Sequence, residues 1–320
     1  MTSNIIRVRV ARKQSEALDI CSFELVALDG PGLPPFSAGS HIDVHLEGGV
    51  VRQYSLCNDP TESHRYLIAV LRDPQSRGGS AGMHSLQEGA TLEISAPKNH
   101  FPLAHEARSS LLLAGGIGIT PLLCMAERLA ATGAQFDLHY CGRSRERAAF
   151  LDRIQRSAFA QQVHLHFDDD DAAQRFDIGA RLATWSPGQH LYVCGPKGYM
   201  DAVLAAARAH GWPEQQLHYE FFSAGPIDTA NDASFEVQVA SSGKVIRVGK
   251  DQTVIQALAA NGVELPYSCE QGVCGTCVTR VLEGEPDHKD MYLSPQEQAR
   301  NDQFTPCCSR ARSARLVLDL

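Results

Sequence analysis

The segment CEQGVCGTC, residues 269–277, carries three cysteines at the spacing C-x4-C-x2-C. Two further cysteines, Cys307 and Cys308, follow thirty or so positions later in the chain. Three thiolates on one short, glycine-bearing loop can bend around a rhombic 2Fe-2S core, and a remote fourth thiolate completes the ligands of the second iron. A structural zinc site is the alternative, but zinc loops usually combine one closely spaced cysteine pair with another pair. The spacing therefore predicts a 2Fe-2S cluster.

The fourth ligand is a choice between Cys307 and Cys308. Successive side chains of a strand point to opposite faces, so Cys307 and Cys308 cannot both reach one cluster. We predict Cys307 as the fourth ligand, because its spacing of 30 positions from Cys277 resembles that of the plant-type ferredoxin pattern, and we expect Cys308 to pack as a small hydrophobic residue. The predicted ligand set is Cys269, Cys274, Cys277 and Cys307.

Upstream of the cysteine loop the chain changes its pattern twice. Residues 4 to about 103 carry short alternating or apolar stretches, such as IIRVRV and RYLIAVL, separated by turns rich in glycine and proline, which predicts an antiparallel β barrel or sandwich. From residue 111, units of strand, glycine turn and amphipathic helix repeat, which predicts a parallel sheet of half-Rossmann type.

The segment SAGPIDTANDAS, residues 223–234, has the composition of a turn, and strands resume after it. FEVQVA and VIRV form a predicted hairpin, followed by a short helix with Thr253 as its N-cap. We therefore expect a multidomain protein with the following parts: an antiparallel β-barrel domain over residues 1–105, an α/β half-Rossmann domain over 106–224, a linker over 225–234 and an α+β domain over 235–320.

Composition restricts the location and the partners of the chain. Among 320 residues, 43% are hydrophobic and 21% are charged, which are ordinary globular values. We expect a cytoplasmic protein, because the N-terminus lacks a signal-peptide core and no apolar run approaches ~18 residues. A net charge of −8 argues against nucleic acid and anionic membranes as partners. Cysteines outside the loop are expected to be buried free thiols: Cys21, Cys57, Cys124, Cys141 and Cys194.

A nucleotide site is indicated where the strand LLLAG runs into a helix. Glycines at this turn suit a pyrophosphate lying on the helix N-terminus. The residues are Gly115, Gly116, Gly118, Thr120 and Pro121. Pro121 occupies the place of the third glycine of G-x-G-x-x-G, so that fingerprint is not satisfied. After the strand HLYV, the turn Cys194-Gly195-Pro196 supplies the second half of the site.

The choice between NADH and NADPH depends on the loop after the next strand. Arg143 and Ser144 lie where an arginine and a hydroxyl can bind a 2′-phosphate. The acidic ribose partner typical of an NADH site is not evident in this loop.

Two further motifs indicate a site that binds an anion and an aromatic ring system. Arg52-Gln53-Tyr54-Ser55 follows a strand, and Arg77-Gly78-Gly79-Ser80 combines an arginine with backbone suited to an anion nest. The box RQYSL resembles that of the ferredoxin-NADP reductase superfamily. In that superfamily the arginine meets a flavin phosphate, and the tyrosine and serine line the isoalloxazine.

The motifs together resemble the phthalate dioxygenase reductase family over essentially all 320 residues. The resemblance rests on R-x-Y-S-L, A-V-x-R, R-G-G-S, SAPKNHFPL, DHKDMYLS and the C-terminal CCSRARSARLVLDL. It implies FMN, since the site around residues 77–80 has no evident adenine extension, and it implies a plant-type ferredoxin (β-grasp) fold for the last domain. It also implies that Ala69, Val70 and Leu71 hold the flavin ring, and that Phe222 faces it.

The resemblance implies hydride transfer from NADH to FMN and single-electron transfer through the cluster to a Rieske-type oxygenase, with NADPH as an open alternative. Ser55 and Cys194 are expected near the flavin N5 and the nicotinamide, and no general acid is required. Other candidates are delivery to a haem monooxygenase or another acceptor, and a flavin and iron-sulfur redox sensor. We expect a monomer that docks transiently on the oxygenase through an acidic face: Glu264, Glu270, Glu283, Glu285, Asp287 and Asp290.

Overall fold

The computed structural model describes residues 5–30, 32–171, 175–223 and 227–320. The chain divides into two compact units, Met1–Phe222 and Ser223–Leu320. The first unit contains an antiparallel sheet followed by a parallel one, and the second contains a separate mixed sheet. The expected multidomain architecture is confirmed, whereas the boundaries at residues 105 and 234 stay predictions. Residues 225 and 226 of the predicted linker lie outside the described residues.

Short alternating segments build the antiparallel sheet, because each strand buries one face of side chains. Its strands are β1 (Ile5–Ala17), β2 (Ile20–Ala27), β3 (Ser40–His45), β4 (Val51–Ser55), β5 (Tyr66–Leu71), β6 (Thr91–Ser95) and β7 (Lys98–Asn99), and helix α1 (Gly79–Ser85) lies between β5 and β6. The order is β4-β3-β6-β1-β2-β5, with β7 paired to β3. An antiparallel bridge between Leu56 and Ile68 joins the two edges of the sheet, and the apolar core lies inside.

The predicted half-Rossmann pattern is confirmed by a parallel sheet. Its elements are β8 (Ser109–Gly115), α2 (Ile119–Ala131), β9 (Gln135–Gly142), α3 (Leu151–Arg156), β10 (Val163–Phe167), α4 (Ile178–Leu182), β11 (Gln189–Cys194), α5 (Lys197–Ala209) and β12 (Leu217–Glu220). The strand order is β10-β9-β8-β11-β12, with parallel pairing throughout this described part of the chain. The order reverses between β8 and β11, where open α/β sheets usually bind their ligands.

The second unit has its own sheet and core. Its elements are β13 (Phe235–Val239), β14 (Val245–Val248), α6 (Val254–Ala260), β15 (Thr279–Glu283), β16 (Pro286–Asp287), α7 (Pro295–Arg300), β17 (Gln303–Phe304), β18 (Arg310–Ala311) and β19 (Arg315–Leu318). The order is β14-β13-β19-β15-β17, with β16 and β18 as a separate pair. The predicted hairpin and the predicted cap are confirmed, since β13 pairs antiparallel with β14 and the Thr253 side chain accepts the Gln256 amide hydrogen.

None of the described helices has the length and apolar character needed to cross a bilayer.

Candidate functional site

The cysteine loop brings its thiols together between α6 and β15. Cys269 contacts the thiols of Cys274 and Cys307, and Cys307 also contacts Cys277. The Cys269 sulfur accepts the amide hydrogen of Gln271 at 3.3 Å. Thiol donation from Cys274 and Cys307, with backbone amides in addition, holds the pKa of Cys269 far below its ordinary value. The surroundings of Cys269 therefore stabilise its thiolate, the form in which cysteine binds metals.

Two glycines allow the loop to fold this closely. Gly272 and Gly275 both have φ of +71°, a left-handed conformation that favours glycine. A Cβ on Gly272 would lie 2.4 Å from the Cys308 sulfur, and one on Gly275 would lie 2.2 Å from Cζ of Tyr292. These positions must lack a side chain for the loop to close against the neighbouring segments.

The argument from strand alternation is wrong, because Cys307 and Cys308 lie in a turn. The two thiols nevertheless have different surroundings. Cys307 contacts Cys269 and Cys277, whereas the Cys308 sulfur lies 3.2 Å from Oγ1 of Thr305. This difference favours Cys307 as the ligand, and the ligand set stays a prediction. Across the described ranges, no three histidine, cysteine or acidic side chains group around a single metal position.

The arginine box and the glycine segment predicted to hold a phosphate come together. A Cβ on Gly79 would lie 2.7 Å from Cγ of Arg52, so the arginine side chain packs directly on the glycine backbone. The Arg52 guanidinium donates to the Arg77 carbonyl oxygen at 3.4 Å. Ser80 accepts the Asp73 amide hydrogen at 3.1 Å, which fixes its hydroxyl. Arginine, backbone and hydroxyl thus form a cradle suited to a phosphate group.

The remaining flavin candidates occupy different positions around this cradle. Tyr54 is half-buried, and the neighbouring Gln53 donates to Asp43 at 3.0 Å. Ala69 and Val70 are buried in β5, which is last in the strand order, while 41% of Leu71 is exposed. The Val70 carbonyl oxygen lies 2.9 Å from Nε2 of His84. Of the residues predicted to contact the flavin ring in β5, Ala69 and Val70 are thus buried and Leu71 is exposed.

The two nucleotide motifs meet where β8 and β11 end side by side. A Cβ on Gly118 would lie 2.2 Å from the Cys194 carbonyl oxygen, and one on Gly195 would lie 2.9 Å from Cα of Gly115. Gly116 adopts φ of +53° between them, and Thr120 donates to the Ile117 carbonyl oxygen at 3.1 Å. The buried Thr120 and Pro121 lie in the first turn of α2. The glycines leave bare backbone at the place where a pyrophosphate has to approach.

The residues that bear on the choice between NADH and NADPH lie in two neighbouring loops, one after β9 and one after β10. Arg143 is exposed, while the Ser144 hydroxyl is buried and has no hydrogen-bond partner among the described residues. The acidic run Asp168–Asp171 follows β10, which pairs with β9, and the Asp168 amide donates to the Gly142 carbonyl oxygen at 3.0 Å. The sequence prediction considered only the loop after β9, so it did not include these carboxylates, which follow the adjacent strand β10.

Glu220 is a site residue that sequence reasoning missed. It ends β12, where it is the register partner of Cys194, and its carboxylate accepts the Ser55 hydroxyl at 3.3 Å. Burial raises the pKa of Glu220 to about 7. Burial, and the Glu220 charge after it, also raise the pKa of the Cys194 thiol. The available signal was the acid in HYEFFSA, the segment from which Phe222, 39% exposed, was chosen.

The acidic face is smaller than the sequence indicated. Asp290 does not belong to it, because its side chain is fully buried. Glu285 and Asp287 both lie against the Arg312 guanidinium, which offsets their charge. Glu264, Glu270 and Glu283 are exposed as expected.

Comparisons with known proteins agree with this geometry. A model described as a 2Fe-2S iron-sulfur cluster binding domain matches residues 237–312, and a model described as dimethylamine monooxygenase subunit DmmA-like, N-terminal domain, matches residues 95–217. Vanillate O-demethylase oxidoreductase of Pseudomonas putida is 58% identical, covering 97% of this chain and 98% of that one. Phthalate dioxygenase reductase of Burkholderia cepacia is 41% identical, covering 98% and 97%.

Solved structures give the same result. A structure titled phthalate dioxygenase reductase, a modular structure for electron transfer from pyridine nucleotides to [2Fe-2S], is 40% identical with a TM-score of 0.76, covering 99% of this chain and 98% of that one. An intact type IV self-sufficient cytochrome P450 monooxygenase matches at 41% identity and a TM-score of 0.87, covering 99% of this chain and 41% of that one. The chain is therefore an oxidoreductase that belongs to the phthalate dioxygenase reductase family, together with the vanillate O-demethylase oxidoreductases.

Proposed function

We propose that this chain is the reductase component of a two-component aromatic oxygenase or O-demethylase. It takes hydride from NADH onto FMN and passes single electrons through a 2Fe-2S cluster to a Rieske-type oxygenase. The observation that carries the proposal is the meeting of Ser55, Cys194 and Glu220 at the ends of β4, β11 and β12, which brings the strand that carries Arg52 close to the nucleotide turn. Full-length similarity to vanillate O-demethylase oxidoreductase supports the choice of acceptor.

The phosphate cradle fits a flavin mononucleotide. Arg52 and the backbone of residues 78–80 would hold its phosphate, and the buried Ala69 and Val70 would support its ring. A bound flavin accepts two electrons as a hydride and releases them singly, which links a nicotinamide to a one-electron centre. The protein then contributes binding and orientation.

Ser55, Cys194 and Glu220 would determine the polarity and the hydrogen bonding at the place where hydride is transferred. Burial raises the pKa of Glu220 to about 7, and its side chain orients the Ser55 hydroxyl. The Cys194 thiol is fully buried and stays protonated, because burial raises its pKa. The burial of Ser55 and Cys194 keeps water away from these two side chains, which favours direct hydride transfer.

The nucleotide turn supports NADH as the donor. Gly115, Gly116, Gly118 and Gly195 leave room for the pyrophosphate, and the carboxylates at the end of β10 lie beside the loop that would receive the ribose. Acidic residues favour a free ribose 2′-hydroxyl over a 2′-phosphate. We assign Arg143 and Ser144 to the same subsite as polar contacts.

The cysteine loop fits a plant-type cluster with Cys269, Cys274, Cys277 and Cys307 as ligands. Such clusters have potentials near ~−400 mV, low enough to reduce a demanding acceptor. We further propose a cytoplasmic monomer with the domain boundaries 1–105, 106–224, 225–234 and 235–320.

The test uses the purified holoprotein. We expect FMN and two irons per chain, an electron paramagnetic resonance signal after reduction, and NADH-driven reduction of cytochrome c. NADPH should be the poorer donor. Zinc in place of iron, or no metal, would contradict the cluster assignment, and both chromophores without turnover would favour a redox sensor.

A second acceptor is suggested by the match to the self-sufficient cytochrome P450 monooxygenase. Stopped-flow mixing of the reduced protein with a Rieske oxygenase and, separately, with a haem monooxygenase separates the two. Faster electron delivery to the haem protein would replace the Rieske partner in the proposal.

A further inference from the structure

Asp290 is a buried acid behind the cysteine loop that no step of the proposed function uses. Its side chain is fully buried. One carboxylate oxygen accepts the Leu293 amide hydrogen at 2.8 Å, and the other accepts the Ser309 hydroxyl at 3.3 Å. A buried carboxylate is expensive to maintain unless it is hydrogen-bonded, as this one is.

His288 lies beside this carboxylate. Its Nδ1 is 3.5 Å from the Asp290 oxygen, its side chain is 9% exposed, and neither ring nitrogen has a hydrogen-bond partner among the described residues. The neighbouring cations are engaged elsewhere, since Lys289 and Arg310 both contact the carboxylate of Asp232. Among the described residues, neither of these two cations forms an ion pair with Asp290.

Asp290 is linked to the ligand loop by two routes. Its Cα lies 2.9 Å from where a Cβ on Gly272 would be, and the next amide, of Met291, donates to the Gly272 carbonyl oxygen at 3.0 Å. The second route runs from Ser309 to Thr305 at 2.9 Å and on to the Cys308 sulfur at 3.2 Å. Cys308 in turn contacts Cys307, the predicted fourth ligand.

We infer that the Asp290 carboxylate lowers the reduction potential of the 2Fe-2S centre, acting through this network and not as a ligand. The inference rests on the cluster of the proposed function. Adding an electron near a buried negative charge costs more free energy than adding it near a neutral group, because the interior screens charge poorly. Charge and hydrogen bonding around the sulfurs are the terms by which proteins set such potentials.

The test is a redox titration of the holoprotein followed by electron paramagnetic resonance. Asp290→Asn keeps the shape and removes the charge, so the reduction equilibrium should shift about tenfold toward the reduced form, or about 59 mV upward for one electron. Asp290→Glu keeps the charge and should stay near the wild-type potential. Asp287→Asn is the matched control: it removes the same charge from the same segment, but from a solvated residue paired with Arg312, and should shift the potential much less.

A second variant neutralises the same charge without removing it. His288→Lys places a cation beside the intact carboxylate and should also raise the potential. The inference is overturned if Asp290→Asn and His288→Lys both shift the potential no more than Asp287→Asn, if Asp290→Glu shifts it as far as Asp290→Asn, or if both neutralising variants lose the cluster. A wild-type protein without a cluster would instead refute the proposed function.

Discussion

The two units place their chemistry in opposite ways. In residues 227–320, three predicted ligands come from nine consecutive residues, 269–277, and their spacing alone indicates the site. In the first unit, Ser55 donates to Glu220, which is 165 positions away, and Cys194 joins them through strand pairing. A site built on one loop can be recognised from the sequence, while a site built from the ends of several strands becomes visible once the sheet is known.

The largest effect is expected at the cysteine loop of the second unit. Cys274→Ser should abolish cluster absorbance and acceptor reduction, while reduction of the flavin by NADH persists, because the thiolate ligand is lost and the first unit is untouched. Cys308→Ser is the control and should retain the cluster, since that sulfur contacts Thr305. Visible spectra and stopped-flow flavin reduction measure both. Loss of flavin reduction in Cys274→Ser would show that the units are not independent.

In the first unit, the substitution with the largest expected effect is one that displaces the backbone of the nucleotide turn. Gly118→Ala would place a Cβ 2.2 Å from the Cys194 carbonyl oxygen, so the nucleotide turn must shift, at a cost of about 1–3 kcal/mol. We expect a tenfold or larger loss in kcat/KM for NADH with the cluster intact. Gly179→Ala, in α4, has only an ordinary contact at 3.4 Å and should keep activity. Normal kinetics in Gly118→Ala would remove this turn from the nucleotide site.

The phosphate cradle gives a smaller effect. Arg52→Lys keeps the charge but loses the planar pair of donors, so FMN should bind about tenfold more weakly or worse. Arg12→Lys, at an exposed position of β1, is the control. Fluorescence titration of flavin into the apoprotein gives both affinities. Equal affinities would exclude Arg52 as the phosphate ligand.

The smallest effect concerns stability against pH. The pKa of Glu220 is about 7 in the folded protein and has its ordinary value of 4.5 when unfolded. Between these values the folded state holds a proton that the unfolded state has released, so this contribution to stability is lost as pH rises from about 4.5 to 7. Glu220→Gln should flatten the fall of the thermal midpoint over this window.

Glu214 provides the matched control of opposite sign. Hydrogen bonding to Arg208 lowers the pKa of Glu214, so its contribution is lost as pH falls, and the pair is exposed enough for the effect to be small. A thermal midpoint of Glu220→Gln that follows wild type across the window would mean that Glu220 is already ionised in the folded protein.

What the sequence predicted, and what it did not, follows the same division. The Thr253 cap and the hairpin of β13 and β14 depend on short-range pattern, and the structure contains them. Glu220 and the carboxylates after β10 were not predicted. Their neighbours depend on the order of the strands in the sheet, which the sequence pattern does not give. Asp290 was counted as a surface acid, because a charge pattern does not reveal that hydrogen bonds to Leu293 and Ser309 allow burial.

The position of β19 has a consequence for biosynthesis. Residues 315–318 lie in the middle of the sheet, between β13, with which they run parallel, and β15. During translation, β13, β14 and α6 are therefore made long before the strand that joins β13 to β15. The cysteine loop is synthesised into a half-formed sheet, and iron delivered at that stage would meet thiols without their final support. We expect metal to be loaded after residues 315–318 have left the ribosome and paired with β13 and β15.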